Sequence, residues 1–239
     1  MSASDSPANF PKLRAAAGRL AHSTLRLENA LYEHRFRIST HGLYNWSPGD
    51  WSRQEHLFYY ATSYRRIFRI LDALRLGPSD TLVDLGCGKG RVACCASFYR
   101  LNEIIGVDDV AELCAAAERN LRSLRGKLAP ARILRGKAEE FDYSLGTVFY
   151  MFHPFGPQTL SAVLSLLAQG LQQKPRNVRI VYVNPVHESV LQKTAWLEQY
   201  DRWPSHRRLW TEIMHPVSFW KLRGAPSDSP PLPPAPPSL

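Results

Sequence analysis

The segment from Thr81 to Val92 constrains the fold of this chain more than any other stretch. An apolar run, Thr81–Leu85, contains Asp84 and is followed by glycines at every second position, Gly86, Gly88 and Gly90. A short apolar run that ends in glycines predicts a buried strand and a turn, and the residues after the last glycine predict a helix. The spacing G-x-G-x-G differs from the G-x-G-x-x-G of nicotinamide dinucleotide-binding turns. The segment therefore predicts the strand, glycine turn and helix of an α/β protein.

Strand and helix patterns alternate from Thr81 onwards. The predicted strands are Thr81–Leu85, Glu103–Asp108, Ala131–Arg135, Thr147–Phe152 and Val178–Asn184, and the predicted helices are Gly90–Tyr99, Ala111–Leu124, Gln158–Leu171 and His187–Tyr200. This alternation predicts a doubly wound parallel sheet with helices on both faces. Two further segments, Arg208–Met214 and Val217–Leu222, are predicted to pair with each other in antiparallel orientation.

The chain divides into three predicted parts. Residues 1–57 form an N-terminal helical extension or lid, in which leucines recur at heptad-like spacing over residues 9–38. Residues 58–223 form the α/β domain. Residues 224–239 contain seven prolines and no aromatic residue, which predicts a disordered tail of polyproline II character. Its P-x-x-P pattern is open to two interpretations, a plain tail or an SH3-type ligand.

Charge and composition set limits on the partners. The net charge is +9, and the excess of basic residues lies in residues 1–79 and 174–223, on either side of a balanced central part. Such basic flanks fit a solvated surface, an acidic partner or a nucleic acid. No apolar run approaches the roughly 20 residues that span a bilayer, and no secretory signal is visible, which predicts a cytoplasmic protein. The four cysteines lack the spacing of a metal site and are expected to be reduced, buried thiols.

The glycine turn, taken with Asp84, resembles motif I of the class I S-adenosylmethionine (SAM) methyltransferases, and the resemblance covers about residues 58–222. It implies a seven-stranded Rossmann-like sheet, SAM as the cofactor and methyl transfer as the reaction. The cofactor-binding residues that it implies at the turn are Asp84, Gly86, Cys87, Gly88 and Gly90. Glycine permits tight turns and close approach of the backbone to a ligand. The N-terminus of the following helix favours an anion, here the methionine carboxylate.

Two further strand ends carry cofactor candidates in the register of this family. Asp108 lies about 20 residues after the turn, where an acidic side chain binds a ribose diol. Asp109 is the alternative, with the competing interpretation that it caps the next helix. After the third strand, Lys137 stands where many members of the family have an acid that contacts adenine. The main chain of Ala138 or the side chain of Glu139 is then the substitute.

The loop after the fourth strand reads His153-Pro154-Phe155, where class I enzymes that methylate amines or amides commonly have N/D-P-P-Y/F. A neutral imidazole at position 153 accepts a hydrogen bond or a proton near neutral pH, and Phe155 offers a cation–π contact to the methyl donor. The alternative is that His153 only caps the strand. Asn184 is predicted at the same edge of the sheet, with Tyr182 near by.

The stretch from Tyr59 to Tyr64 matches the Y-x-x-T-x-Y lead-in of a poorly characterised bacterial group of SAM methyltransferases, which share V-D-L-G-C-G-K-G-R and an N-P-F after strand four. A weaker likeness links the chain to small lysine methyltransferases of the same fold. Tyr60 and Thr62 are predicted to close over the cofactor. The competing interpretation is that Thr62 caps a helix and the tyrosines pack in the core.

The predicted function is SAM-dependent methyl transfer to a nucleophile, with a nitrogen on a protein or peptide as the preferred acceptor and no metal. Three alternatives stay open. Basic and aromatic residues interleave over residues 202–210, as in proteins that bind nucleic acids, which fits an RNA acceptor. A small-molecule acceptor and a non-catalytic scaffold that keeps the fold are the other two.

Overall fold

The structure, a computed structural model, describes residues 27–41, 62–208 and 212–224. Residues 27–36 are helical (α1). The other helices are α2 (Tyr64–Ala73), α3 (Arg91–Ala96), α4 (Ala111–Ser123), a short 3-10 helix (Ala138–Glu140), α5 (Pro157–Gln173) and α6 (Glu188–Gln192). The strands are β1 (Thr81–Leu85), β2 (Glu103–Asp108), β3 (Ala131–Arg135), β4 (Val148–Phe152), β5 (Arg179–Val183), β6 (Leu197–Trp203), β7 (His206–Arg208), β8 (Glu212–Met214) and β9 (Val217–Leu222). Within these described stretches, no helix has the length and apolar character needed to cross a bilayer.

Seven strands form one sheet in the order β3-β2-β1-β4-β5-β9-β6. Strands β1 to β5 are parallel to their neighbours, and β9 runs antiparallel between β5 and β6. The strand order reverses between β1 and β4, and ligands of such sheets bind in the crevice at the carboxyl ends beside this reversal. The prediction of a seven-stranded Rossmann-like α/β fold is confirmed.

Two apolar clusters cover the two faces of the sheet. One contains Leu82, Ile104 and Tyr150 together with residues of α2 and α3. The other contains Val83, Phe149 and Ile180 together with residues of α5. All five residues of β1 are buried, as expected of a central parallel strand with helices on both sides. Because helices cover both faces of the sheet, a ligand can approach the strands at their carboxyl ends.

Two predictions in the C-terminal part were wrong. The predicted helix His187–Tyr200 ends at Gln192, and Leu197–Trp203 is instead strand β6, which pairs with β9. The predicted pairing of Arg208–Met214 with Val217–Leu222 is also absent from the described residues. The segment His206–Arg208 pairs with Glu212–Met214, and β9 lies between β5 and β6. Strand β6 forms because β9, which lies later in the chain, supplies a backbone ladder that local helix propensity does not reveal.

The described N-terminal residues are attached to the domain by a buried ion pair. Arg91, the first residue of α3, lies 3.3 Å from the carboxylate of Glu33 in α1, and both side chains are almost fully buried. The Arg91 guanidinium also donates to the Thr40 hydroxyl (2.7 Å) and the Thr62 carbonyl (2.9 Å). Burial raises the pKa of Glu33, but hydrogen bonds from His41 and Thr40 and the charge of Arg91 outweigh this and lower it overall. The N-terminal segment is therefore fastened directly to the helix that follows the glycine turn.

This attachment yields a stability prediction. Replacing Arg91 with methionine leaves the buried Glu33 carboxylate without its cationic partner, which should lower the free energy of unfolding by about 3 kcal/mol. The matched control is Arg132→Met, which breaks the exposed pair with Glu103 and should cost less than about 1 kcal/mol. Urea unfolding followed by circular dichroism measures both. Equal losses in the two variants would show that the Glu33–Arg91 pair does not hold α1.

Candidate functional site

The glycine turn after β1 has the backbone that its sequence predicts. Gly86, Gly88 and Gly90 have φ values of +71°, +55° and +75°, in the left-handed region that favours glycine. The amides of Gly86 and Cys87 both donate to the carbonyl of Val107 (2.9 and 3.0 Å), which ties the turn to the end of β2. Helix α3 has six residues, shorter than the predicted Gly90–Tyr99, so its dipole is weaker than expected. The main contribution of this turn is its close backbone path.

Gly86 also connects the turn to the loop after β4. A Cβ atom at position 86 would lie 2.5 Å from Cβ of Pro154, which is closer than real side-chain contacts. At position 90 a Cβ would lie 3.0 Å from Cβ of Ala117 in α4. Gly90 is thus needed for packing of α3 on α4, whereas Gly86 is needed for contact with the His153-Pro154-Phe155 loop. The predicted cofactor turn and the predicted acceptor loop are therefore in contact.

Asp108 organises the carboxyl ends of the first two strands. One oxygen of its carboxylate accepts the amide of Gly88 (2.8 Å), and the other accepts the amide of Val110 (3.0 Å). A carboxylate is an acceptor-only group, and an acidic side chain at this position of such sheets is the type that binds ribose hydroxyls. Asp109 is exposed, and the N-cap of α4 is Val110, with no side-chain cap bond. The interpretation of Asp109 as the helix cap was therefore wrong.

Asp84 is a buried carboxyl group beside Asp108. Its side chain is 3% exposed, and its Oδ2 has no hydrogen-bond partner among the described residues. Burial, with a smaller contribution from the charge of Asp108, raises the pKa of Asp84 to about 8. An unpaired buried acceptor is costly unless a ligand satisfies it. SAM carries an ammonium group, ribose hydroxyls and a positive sulfonium, and these groups suit a site lined by two carboxyls.

The remaining predicted cofactor residues differ in burial and in hydrogen bonding. Cys87 is buried, with its thiol near Gly106 and 3.8 Å from the carbonyl of Gly88, and burial raises the pKa of that thiol. The carbonyl of Ala138 accepts the hydroxyl of Tyr143. Glu139 is half-buried in the short helix after β3, while Lys137 is exposed near Glu140. The amide of Gly136 bonds the Asp108 carbonyl (2.9 Å), which places this loop next to Asp108.

The loop after β4 begins with a residue in a strained backbone conformation. His153 follows β4 directly and has φ +39°, and Asn184 follows β5 directly and has φ +51°. Because Phe152 and Val183 are partners in the parallel ladder, these two residues sit side by side at the carboxyl edge. Non-glycine residues in this conformation are uncommon and concentrate at functional sites. The structure thus brings His153 and Asn184 together as the sequence predicted.

Other predicted acceptor residues differ in outcome. Pro154 abuts Gly86, as described above. Phe155 is 6% exposed and packs in the apolar cluster on the α5 face, and its cation–π contact with a methyl donor stays a prediction. Tyr60 lies outside the described residues. Tyr64 of the same stretch is fully buried, with the Arg91 guanidinium 4.4 Å above its ring, which agrees with the packing interpretation for that tyrosine.

Sequence reasoning missed His187. The rings of His153 and His187 have centroids 5.1 Å apart, and Nδ1 of His153 lies 3.4 Å from the hydroxyl of Tyr182. Burial, with a smaller effect of His187, lowers the pKa of His153. His153 is therefore neutral near pH 7 and has a lone pair for a proton. The only signal in the sequence was that His187 follows a strand end by a few residues.

Comparison with known proteins found partial sequence similarity to methyltransferases. The profile of the protein-L-isoaspartate (D-aspartate) O-methyltransferase family matches residues 60–135. A protein-lysine N-methyltransferase from Saccharolobus islandicus is 31% identical over 98 residues, which are 41% of this chain and 60% of that protein. This chain thus spans less than two thirds of that relative's length.

Solved structures of the same fold are more distant in sequence. A SAM-dependent methyltransferase from Methanosarcina mazei superposes with a TM-score of 0.50 and 11% identity, over 64% of this chain and 96% of that one. A chain described as an rRNA methylase from Clostridium thermocellum also gives 0.50 and 11%, over 69% and 100%. These likenesses concern the fold. They agree with the predicted seven-stranded Rossmann-like sheet.

The Gly86–Pro154 contact leads to a binding prediction. In Gly86→Ala the new Cβ meets Pro154 and the left-handed backbone is strained, so SAM binding should weaken about tenfold or more. Gly224→Ala is the matched control, since Gly224 has φ +74° but nothing within 4 Å of its Cβ position. Isothermal titration with SAM compares the two. If the affinity for SAM is unchanged in Gly86→Ala, the glycine turn is not part of the SAM-binding site.

The buried Asp84 leads to a pH prediction. In the unfolded chain its carboxyl loses a proton near pH 3.8, whereas in the folded protein it holds the proton to about pH 8. Unfolding therefore releases a proton between these values, and this carboxyl lowers stability progressively as the pH rises. Asp84→Asn removes the effect, so its stability advantage over the wild type should grow from pH 4 to pH 8. Thermal melting without ligand at several pH values tests this, and an advantage independent of pH would contradict it.

Proposed function

We propose that the protein transfers the methyl group of SAM to an amine nitrogen of a protein or peptide. The observation that carries this proposal is the position of His153. It is neutral near pH 7, lies at the carboxyl end of β4, and is followed by Pro154, which contacts the first glycine of the cofactor turn. If SAM binds at the glycine turn, the neutral imidazole of His153 would lie close to its methyl group.

The residues present fit SAM as the cofactor. The carboxylate of Asp108 would take the ribose hydroxyls, and the unpartnered Oδ2 of Asp84 would receive a donor from the ligand. The backbone of Gly86, Gly88 and Gly90 would border the amino acid part. Ala138 and Glu139 would lie on the adenine side, next to the end of β3. When bound, SAM supplies a methyl group on a sulfonium sulfur that leaves as a neutral thioether.

The chain's own residues then act on the acceptor. A lysine ammonium, with a usual pKa near 10.4, has no lone pair until it loses a proton. In the proposed step, one proton moves from the acceptor nitrogen to a ring nitrogen of His153. The freed lone pair forms the N–C bond, and the electrons of the broken C–S bond stay on sulfur. Proton transfer by a positioned side chain contributes typically 10² to 10⁴ in rate, and the rest comes from holding the acceptor in line.

Two observations favour a protein acceptor over a nucleic acid. The curated relative at 31% identity is described as a protein-lysine N-methyltransferase. In addition, residues that led to the nucleic-acid alternative are engaged within the domain. Arg202 pairs with Glu188 (3.3 Å), and the ring of Trp203 packs on Phe219 (5.0 Å) beneath the guanidinium of Arg66 (4.9 Å). The matched O-methyltransferase profile ends at residue 135, before the loop after β4. It therefore covers the glycine turn and Asp108 and gives no information on the acceptor.

The test of this function follows a labelled methyl group. The purified protein is incubated with methyl-tritiated SAM and, separately, with lysine-containing peptides, total RNA and small amines. We expect label in the peptides that resists mild alkali, because an N-methyl bond survives where a carboxyl methyl ester releases methanol. Label confined to RNA, to small amines or to an alkali-labile ester would overturn the proposed acceptor. Failure to bind either SAM or its demethylated product in titration would overturn the enzyme itself and favour the scaffold.

His153 gives a direct kinetic prediction. His153→Ala removes the proton acceptor while leaving the residues of the glycine turn in place, so kcat should fall by about 100-fold or more. The affinity for SAM, measured by titration, should stay at the wild-type level. His34→Ala, at an exposed histidine of α1, is the control and should leave both quantities unchanged. Normal turnover in His153→Ala would remove this residue from the reaction.

A further inference from the structure

Tyr182 and His187 form a compact cluster with His153 at the carboxyl edge of the sheet. The carbonyl of Asn184 accepts the amide of Val186 (2.8 Å), which tightens the chain immediately after β5. This turn brings the amide of His187 to 3.4 Å from the hydroxyl of Tyr182. The same hydroxyl lies 3.4 Å from Nδ1 of His153. One phenol oxygen therefore joins the loop after β4 to the loop after β5.

Tyr182 has a buried hydroxyl that contacts both His153 and the main chain of His187. Its side chain is fully buried in β5, and burial raises its pKa to about 12, so the phenol keeps its proton at neutral pH. The two imidazole rings then face each other at an interplanar angle of 52° with their centroids 5.1 Å apart. In the tautomer in which Nδ1 of His153 carries the ring hydrogen and donates it to the Tyr182 hydroxyl oxygen, the lone pair of Nε2 is available to take a proton from the methyl acceptor.

We propose that His187 and Tyr182 are positioning residues for His153, which hold its imidazole in one orientation and keep it in the neutral form that takes a proton from the acceptor amine. The physical basis is that two imidazolium ions at this separation repel each other, so a proton on His187 disfavours one on His153. Neither residue needs to touch the substrate for this effect. The inference rests on the proposed function, because it assigns the proton acceptor of that reaction.

Other charged groups around His153 are engaged elsewhere. Glu188, which follows His187, pairs with Arg202 and receives a bond from Gln199 (3.3 Å). The ring of His215 packs on Phe152 (5.4 Å), the residue before His153. Burial, with a smaller effect of Arg66, lowers the pKa of His215, so that imidazole is neutral as well. Among the residues that the structure describes, His187 is therefore the titratable group that acts most directly on His153.

The test measures the ionisation of His153 itself. NMR titration of imidazole resonances, assigned by loss of the signal in His153→Ala, follows His153 in the wild type, His187→Gln and His34→Gln. Because the electrostatic effect of the His187 imidazole lowers the pKa of His153, that pKa should rise by about 0.5 to 1 pH unit in His187→Gln. It should not move in His34→Gln. In Tyr182→Phe, the loss of the hydroxyl should alter the Nδ1 resonance of His153 while the fold, checked by melting, remains intact.

The outcomes separate this inference from the proposed function. If the reaction uses His153 as its base, the acidic limb of the kcat profile in His187→Gln should move to higher pH by the same amount as the NMR pKa. If the pKa of His153 shifts in His187→Gln but the protein methylates no amine, the effect of His187 on His153 is supported. The amine acceptor of the proposed function is then wrong. If the pKa of His153 does not change in His187→Gln, the proposed role of His187 is wrong, whether or not the enzyme is active. An equal shift in His34→Gln overturns it too, since it would reflect net charge alone.

Discussion

The rest of the site depends on the contact between Gly86 and Pro154. A side chain at position 86 would collide with the proline, so the first glycine of the turn is needed as much for the acceptor loop as for a cofactor. This contact fixes the distance between the end of β1 and the end of β4. It lies where the strand order reverses, the usual binding crevice of such sheets. The Gly86–Pro154 contact therefore positions both the proposed SAM site and the proposed base, His153.

Electrostatics on the two sides of this contact differ. On the cofactor side, Asp84 and Asp108 put two carboxyls close together, and burial keeps one of them protonated without a ligand. On the other side, burial lowers the pKa values of His153 and His215, so both imidazoles are neutral near pH 7. In the proposed reaction, the positively charged cofactor would meet acidic groups, and the acceptor amine would meet the neutral imidazole of His153. This division suits transfer of a methyl cation equivalent from one side to the other.

The fold and the cofactor side could be read largely from the sequence. Buried parallel strands are continuous apolar runs, and a left-handed turn over a ligand needs glycine, so β1 and the turn were found with their correct bounds. The predicted helix His187–Tyr200 failed because residues 197–203 form strand β6 through pairing with β9, a partner about twenty residues later. Local patterns do not contain that information.

The sequence by itself determined the glycine turn, the acidic residues of β1 and β2 and the position of His153 after β4, because each follows from residue type and spacing along one strand and its end. Only the tertiary structure decided that Phe155 is buried in the core and that Asp84 lacks a described partner. It alone placed His187 and Tyr182 beside His153. These facts depend on which side chains meet across adjacent strands, and the register of a sheet brings together residues that are far apart in the chain.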